Sequence, residues 1–273
     1  MILEKWHGFD FVKRSSNVLL VTIGESWTWG DSLQSSWADG TDDKEFRLLN
    51  VYGGKLSLKL NSDFLNIAMP GESNLWIANK LDYLIENIDS LNYKNIIIIL
   101  TLTEVGREFN GNLDKDIDYV KEFKSIKSFD GFLRMLSYKV AEKIKKHLSK
   151  NKILIGTNFV DSNYPVDFPI LNKTWVDLIC ECTQIPMNLS DCYTVLSWVF
   201  ERFDAIKEFA PSLYNNKFKQ EIIECMDKAN IRTQLLLDSP FNYKKASKHP
   251  TPEGHALWSE YLYSQIVTYG YIS

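Results

Sequence analysis

The chain has 273 residues, 45% of them hydrophobic and 24% charged, a balance that fits one large folded domain over 1–273 and excludes a mainly disordered protein. With 31 Lys and Arg against 35 Asp and Glu, the net charge is −4. No broad basic surface is available for nucleic acid or an anionic membrane.

The first residues, MILEKWHGFDFVKR, carry charges and His7 where a leader peptide needs an apolar run, which predicts a cytoplasmic protein. The first strand is expected at Val18 to Ile23. The stretch from Gln34 to Leu60 shows no strand period and reads as an exposed excursion that helps build a rim. Further strands are expected at Phe64 to Met69, Ile96 to Thr101 and Ile153 to Asn158. The longest apolar run, Ile96 to Leu100, is far too short to span a bilayer. Helices are expected at Ser73 to Ile88 and at Phe132 to Leu148, where Phe132, Leu133, Leu136, Val140, Ile144 and Leu148 draw one apolar stripe. Thr174 to Cys182, Asp191 to Phe209 and Lys217 to Lys228 also read as helical. The helical region from about 174 to 230 is expected to be an insertion or cap. Four cysteines, Cys180, Cys182, Cys192 and Cys225, are too few and too irregular for a disulfide framework. They lack paired C-x-x-C spacing for zinc and are expected to be buried, reduced thiols, with no metal and no cofactor.

The apolar runs are unbroken rather than alternating, which suits strands buried on both faces of a parallel sheet. Strands alternating with helices then predict a three-layer α/β/α sandwich with a central, mostly parallel sheet. Ligands in such a fold bind beyond the C-terminal ends of the strands. Chemistry is therefore expected in the loops after Ile23, Met69 and Thr101.

Gly24-Glu25-Ser26 follows the first strand. A serine at this turn presents its hydroxyl beside the N–H groups of a helix start, and it also suits the N-cap of that helix. Near the other end stands His249-Pro250-Thr251-Pro252-Glu253-Gly254-His255. Thr251 as N-cap and Pro252 as first helical residue leave His249 in the preceding loop, free to aim at a site. His255, inside the helix, is expected to pack or hydrogen-bond. Neither G-x-G-x-x-G nor G-x-x-x-x-G-K-[ST] occurs, which argues against hydride transfer and nucleotide hydrolysis.

These blocks resemble the SGNH, or GDSL-like, hydrolases, a family with a flavodoxin-like α/β/α fold. Its G-D-S block is similar to Gly24-Glu25-Ser26, with Glu for Asp. A literal Gly30-Asp31-Ser32-Leu33 lies too far beyond the strand to fill the nucleophile turn. The family's second block is similar to Asn66-Ile67-Ala68-Met69-Pro70-Gly71-Glu72-Ser73-Asn74, and its H-P-x-x-x-G-H block to His249 through His255. The resemblance implies Ser26 as nucleophile, His249 as general base, and an oxyanion hole of the Ser26 and Gly71 N–H groups.

Two departures accompany it. The G-x-N-D block appears as Thr101-Leu102-Thr103-Glu104, leaving Thr103 or Asn110 to stand for the missing asparagine donor. The position of the acid, three residues before the histidine, holds Ala246. Asp238 or a backbone carbonyl orients His249 in its place, or the pair runs as a dyad. Trp27, Asn74 and Arg107 are candidate substrate contacts, Trp27 as a stacking face for a sugar and Arg107 as a fork for an anion, against the alternatives of core packing and a local ion pair. The resulting expectation is a serine esterase or deacylase acting through an acyl-enzyme on a small-molecule or glycan ester, with an acetylated carbohydrate preferred. Its rivals are an O-acyltransferase and a catalytically silent binding module of the same fold.

Overall fold

The computed structural model describes residues 1–31, 33, 42–103, 126–158, 164–183, 216–217, 220 and 249–272. Six strands form one sheet: β1 (Ile2–Trp6), β2 (Phe9–Lys13), β3 (Val18–Gly24), β4 (Asp63–Ala68), β5 (Asn95–Leu102) and β6 (Lys152–Thr157), in the order β1-β2-β4-β3-β5-β6. β4, β3, β5 and β6 are parallel, while β2 runs antiparallel to β1 and to β4. Counted alone, the parallel strands lie in the order second, first, third, fourth, which is flavodoxin-like winding.

The helices are α1 (Ser26–Trp29), α2 (Lys44–Asn50), α3 (Tyr52–Lys59), α4 (Asn74–Asn87), α5 (Ile126–Leu148), α6 (Trp175–Thr183) and α7 (Pro252–Thr268). Successive residues of each parallel strand point to opposite layers. Leu19, Val21, Ile23, Ile98 and Leu100 pack with Ile77, Leu81 and Leu84 of α4 and Val140 and Ile144 of α5. Leu20, Ile97, Ile99 and Leu154 face the other way, onto Leu56 of α3, Ile179 of α6 and Trp258, Leu262 and Ile266 of α7. Burial of each such side chain contributes about 1.5–3 kcal/mol, which is why the runs carry no polar alternation. The expected three-layer sandwich is the fold observed.

Three expectations are corrected. The β1–β2 hairpin was not read from the sequence, because its two-residue turn is His7-Gly8 at φ 48° and 90°, a weaker signal than Asn-Gly. The Gln34 to Leu60 excursion contains α2 and α3, with Leu48, Val51, Tyr52 and Leu56 buried. Asp43 caps α2 by accepting from the Phe46 N–H at 3.0 Å, and Gly53-Gly54 depressed the helix signal of α3. Cys182 is exposed, in the last turn of α6 beyond the residues that reach the core. Most of the region expected as a cap, 174–230, lies outside the described residues, as do Cys192 and Cys225. Among the described residues no helix is long and apolar enough to cross a membrane.

Candidate active site

The serine turn begins at Gly24, the last residue of β3. A Cβ there would stand 2.1 Å from Thr28 Oγ1 and 3.1 Å from the Thr101 carbonyl, so the chain can fold straight into α1 only without a side chain. Glu25 follows in extended conformation and caps α1, its Oε1 accepting from the Trp27 N–H at 3.0 Å. Ser26 is therefore the first helical residue and not the N-cap, because the cap is Glu25, whose carboxylate takes the N–H two residues on. The Ser26 hydroxyl donates to Glu25 Oε2. Asn158, just past β6, donates from Nδ2 to Glu25 Oε1 at 2.6 Å.

The other end of α1 is also tied down. Asn66 of β4 donates to the Thr28 carbonyl at 3.2 Å while its Oδ1 accepts from Thr22 at 2.9 Å. Arg47 donates to the Trp29 carbonyl at 2.9 Å and lies 3.7 Å above the Trp29 ring. Arg47 is itself paired with Asp42 and with Asp10, each at 2.8 Å. Burial alone would raise the Asp10 carboxyl, but Lys5, Arg47 and Lys44 overcome it and hold the group down at about 2.

His249 stands two residues before Thr251, whose side chain accepts from the Gly254 N–H and starts α7 with Pro252. Its Nε2 lies 2.9 Å from Ser26 Oγ, across 223 residues of sequence. Asp31 Oδ2 lies 3.6 Å from the same nitrogen. The other ring nitrogen, Nδ1, is buried with no hydrogen-bond partner among the described residues. Asp238, the acid expected there, lies outside them. His255 is a packing residue: its Nδ1 accepts from the Tyr52 N–H at 3.2 Å and its ring stacks on Tyr52. Burial, reinforced by Lys55 and His249, pushes its pKa well below the usual histidine value, which keeps it neutral. Tyr52 is pushed up, by burial first and also by Glu25, against hydrogen bonds to Thr101 and Thr28.

The oxyanion candidates sit on neighbouring loops. β3 and β4 end level, Gly24 opposite Ala68, so the turn carrying Gly71 stands beside the serine turn. Gly71 is exposed at φ 84°, a left-handed backbone that favours glycine. Thr103, one residue past β5, has its N–H and its carbonyl bound to Asn74, both at 2.8 Å. Any donor role of Thr103 therefore falls to its hydroxyl.

Two expected substrate contacts are corrected. Asn74 is fully buried and both ends of its amide clamp Thr103, so it faces no ligand. Trp27 is buried edge-on to Trp175 at 5.2 Å and offers no open face to a sugar. Arg107, Asn110, Ser32 and Ala246 lie outside the described residues. Sequence reasoning missed Asn158 and Asp31. Asn158 had a readable signal, a polar residue ending an apolar strand at the C-terminal edge. Asp31 was set aside with the Gly30-Asp31-Ser32-Leu33 stretch. Among the described residues no group of three or more His, Cys, Asp or Glu side chains is placed to hold a metal ion.

No family model and no curated protein matches the chain. The solved structures it is similar to include GDSL-family lipolytic proteins and carbohydrate esterases. A lipolytic protein of the G-D-S-L family from Desulfitobacterium hafniense DCB-2 shares 14% identity, with 90% of this chain and 98% of that one covered at a TM-score of 0.36. A lipase/acylhydrolase from Enterococcus faecalis shares 12%, with 92% and 96% covered at 0.35. An acetyl-xylooligosaccharide esterase from Geobacillus shares 13%, with 91% and 93% covered at 0.36. Overlap this loose transfers no residue role to this chain.

Proposed function

We propose that the protein is a serine hydrolase of ester bonds, an esterase or deacylase with Ser26 as nucleophile. The observation that carries this reading is the 2.9 Å approach of His249 Nε2 to Ser26 Oγ at the C-terminal edge of a parallel sheet, where ligands bind in such folds. A serine attacks an ester when a proton-transfer group touches its hydroxyl and donors await the oxyanion. Ser26 has groups of the first kind on two sides, and its own N–H at the start of α1 and that of Gly71 are the donors proposed for the oxyanion. Oγ bonds to the carbonyl carbon, the alcohol leaves, and water resolves the acyl-enzyme without a cofactor. Trp27 is withdrawn into the core, and the substrate proposed is a small-molecule or glycan ester, acetylated carbohydrates among them.

The test is labelling with a fluorophosphonate and location of the adduct by mass spectrometry. An adduct on Ser26 of the wild type that is absent from folded Ser26→Ala is expected. A folded wild type that carries no adduct on any serine would refute the hydrolase reading.

A further inference from the structure

We propose that the cleft at the N-terminal ends of β5 and β6 is a second binding site, one for a phosphate group carried by a small molecule. Chain direction sets it apart from the ester site. β3, β5 and β6 are parallel, and Ser26 comes just after the last residue of β3, whereas Asn95 and Lys152 are the first residues of β5 and β6. The cleft has a volume of about 400 Å³, within the range of small-molecule sites. Among the described residues Lys94, Lys150 and Lys152 line it, with Asp89 as the one carboxylate. A chain of net charge −4 thus gathers a local excess of positive charge here.

The lysines of the cleft differ from their neighbours on α5. Lys143 and Lys146 pair with Asp82 at 3.1 and 3.4 Å, and Lys145 pairs with Asp167 at 2.8 Å. Lys145 and Lys146 also stand in the last turn of α5, where cations suit the helix dipole. Lys94 and Lys150 lie outside the helices, are exposed, and have no ion-pair or hydrogen-bond partner among the described residues. Local pairing therefore does not account for them.

Lys152 supplies the held part of the site. Its Nζ donates to Asn95 Oδ1 and to the Tyr271 carbonyl, each at 2.8 Å, which orients the side chain and leaves one of three hydrogens over. An ammonium only donates, so the Asn95 atom it meets is the oxygen, and the Asn95 NH2 remains as a donor. One ammonium and one amide are thus set against each other, with the exposed ammonium groups of Lys94 and Lys150 lining the same cleft. Such single donors suit the separately directed oxygens of a tetrahedral phosphate. A planar carboxylate is matched best by the fork of an arginine, and no arginine lines the cleft. Its volume is more than ten times a water molecule's share of about 30 Å³, which leaves room for a small organic body behind the phosphate.

The probe is inorganic pyrophosphate, titrated at constant ionic strength into wild type, the double variant Lys94→Gln with Lys150→Gln, and Lys146→Gln. Binding is followed through backbone amide resonances, and folding through the melting temperature. In wild type the amides of Lys94, Asn95 and Lys152 are expected to shift together and to saturate with a Kd below about 1 mM. Charge-assisted bonds carry the contact, so the double variant is expected to bind at least about tenfold more weakly, and Lys146→Gln to stay within about twofold of wild type. Both lysines of the double variant are exposed, so it is expected to fold. No saturation by about 10 mM pyrophosphate would overturn the site, as would shifts centred elsewhere or a double variant that binds like wild type. Citrate binding as tightly as pyrophosphate would overturn the phosphate class. Every readout is binding, so failure here leaves the hydrolase reading standing, and failure of serine labelling leaves this site standing.

Discussion

The two sides of the proposed nucleophile are built differently. On the serine side, strands β3, β4 and β6 converge: Gly24 fixes the turn, Asn66 and Arg47 hold the carbonyls of α1, and Asn158 grips Glu25. On the histidine side, His249 comes from a loop before α7, meets Ser26 at 2.9 Å and Asp31 at 3.6 Å, and leaves Nδ1 unpartnered among the described residues. A preorganised group acts without rearrangement at the moment of reaction. On the proposed reading, the more firmly held groups are those of β3 and α1, and the histidine has fewer contacts among the described residues.

The largest expected effect comes from removing the atom on which both sides meet. Ser26→Ala should lower kcat on short-chain esters by about 10⁴-fold or more, since loss of a serine nucleophile elsewhere costs roughly 10⁶-fold. It also sharpens the contrast. Without Oγ, the described residues offer His249 only Asp31, while Glu25 keeps Asn158 and the Trp27 N–H. The His249 ring resonances should shift and broaden while the Asn158 side-chain amide signals stay in place. Broadening of both in equal measure would erase the distinction between a more and a less firmly held side.

Next is the clamp between the two loops beside the serine. Asn74→Ala strands the N–H and carbonyl of Thr103 in the interior, and each orphaned group costs about 1–3 kcal/mol. A loss of about 3 kcal/mol is expected in denaturant unfolding. A loss under about 0.5 kcal/mol would mean that the β5 loop is held by something other than Asn74.

The outer support of the serine turn is ionic, which gives it a pH signature. Asp10 is held at about 2 through Lys5, Arg47 and Lys44 against the effect of burial, and in the unfolded chain it titrates near its ordinary value of about 4. The folded form binds its proton less readily, so this stability is fully present above about pH 4 and lost as the pH falls through about 2. The shift corresponds to about 2 kcal/mol. In Asp10→Asn that component of the acid slope should vanish from unfolding curves taken between pH 4 and pH 2. An unchanged slope would detach the Asp10–Arg47 pair from the support of α1.

Much of this contrast is absent from the sequence for a physical reason. The parallel strands were legible because residues buried on both faces leave unbroken apolar runs, and α7 was legible because Thr251 and Pro252 mark a helix start. Ser26 and His249 followed from their positions relative to those elements. The partners of Ser26 were not legible, because Glu25, Asn158 and Asp31 acquire their meaning only when loops after β3 and β6 are brought to one edge. Trp27 and Asn74 misled in the opposite sense. Their types suit a ligand surface, but the turn into α1 and the clamp on Thr103 draw both inside.

The smallest expected effect tests the histidine side alone. Asp31 lies 3.6 Å from Nε2 with about a fifth of its side chain exposed, a separation beyond a direct hydrogen bond. Partly exposed charge contacts of this kind contribute about 0–1 kcal/mol, so Asp31→Asn should change kcat/KM by no more than about fivefold, and salt should narrow the gap to wild type. A loss approaching that of Ser26→Ala would show that Asp31 closes onto His249 when substrate arrives, making the histidine side as ordered as the serine side during the reaction. A change within fivefold leaves Glu25 as the carboxylate that, among the described residues, touches Ser26, at the strand edge where the Trp27 N–H and Asn158 also bind it.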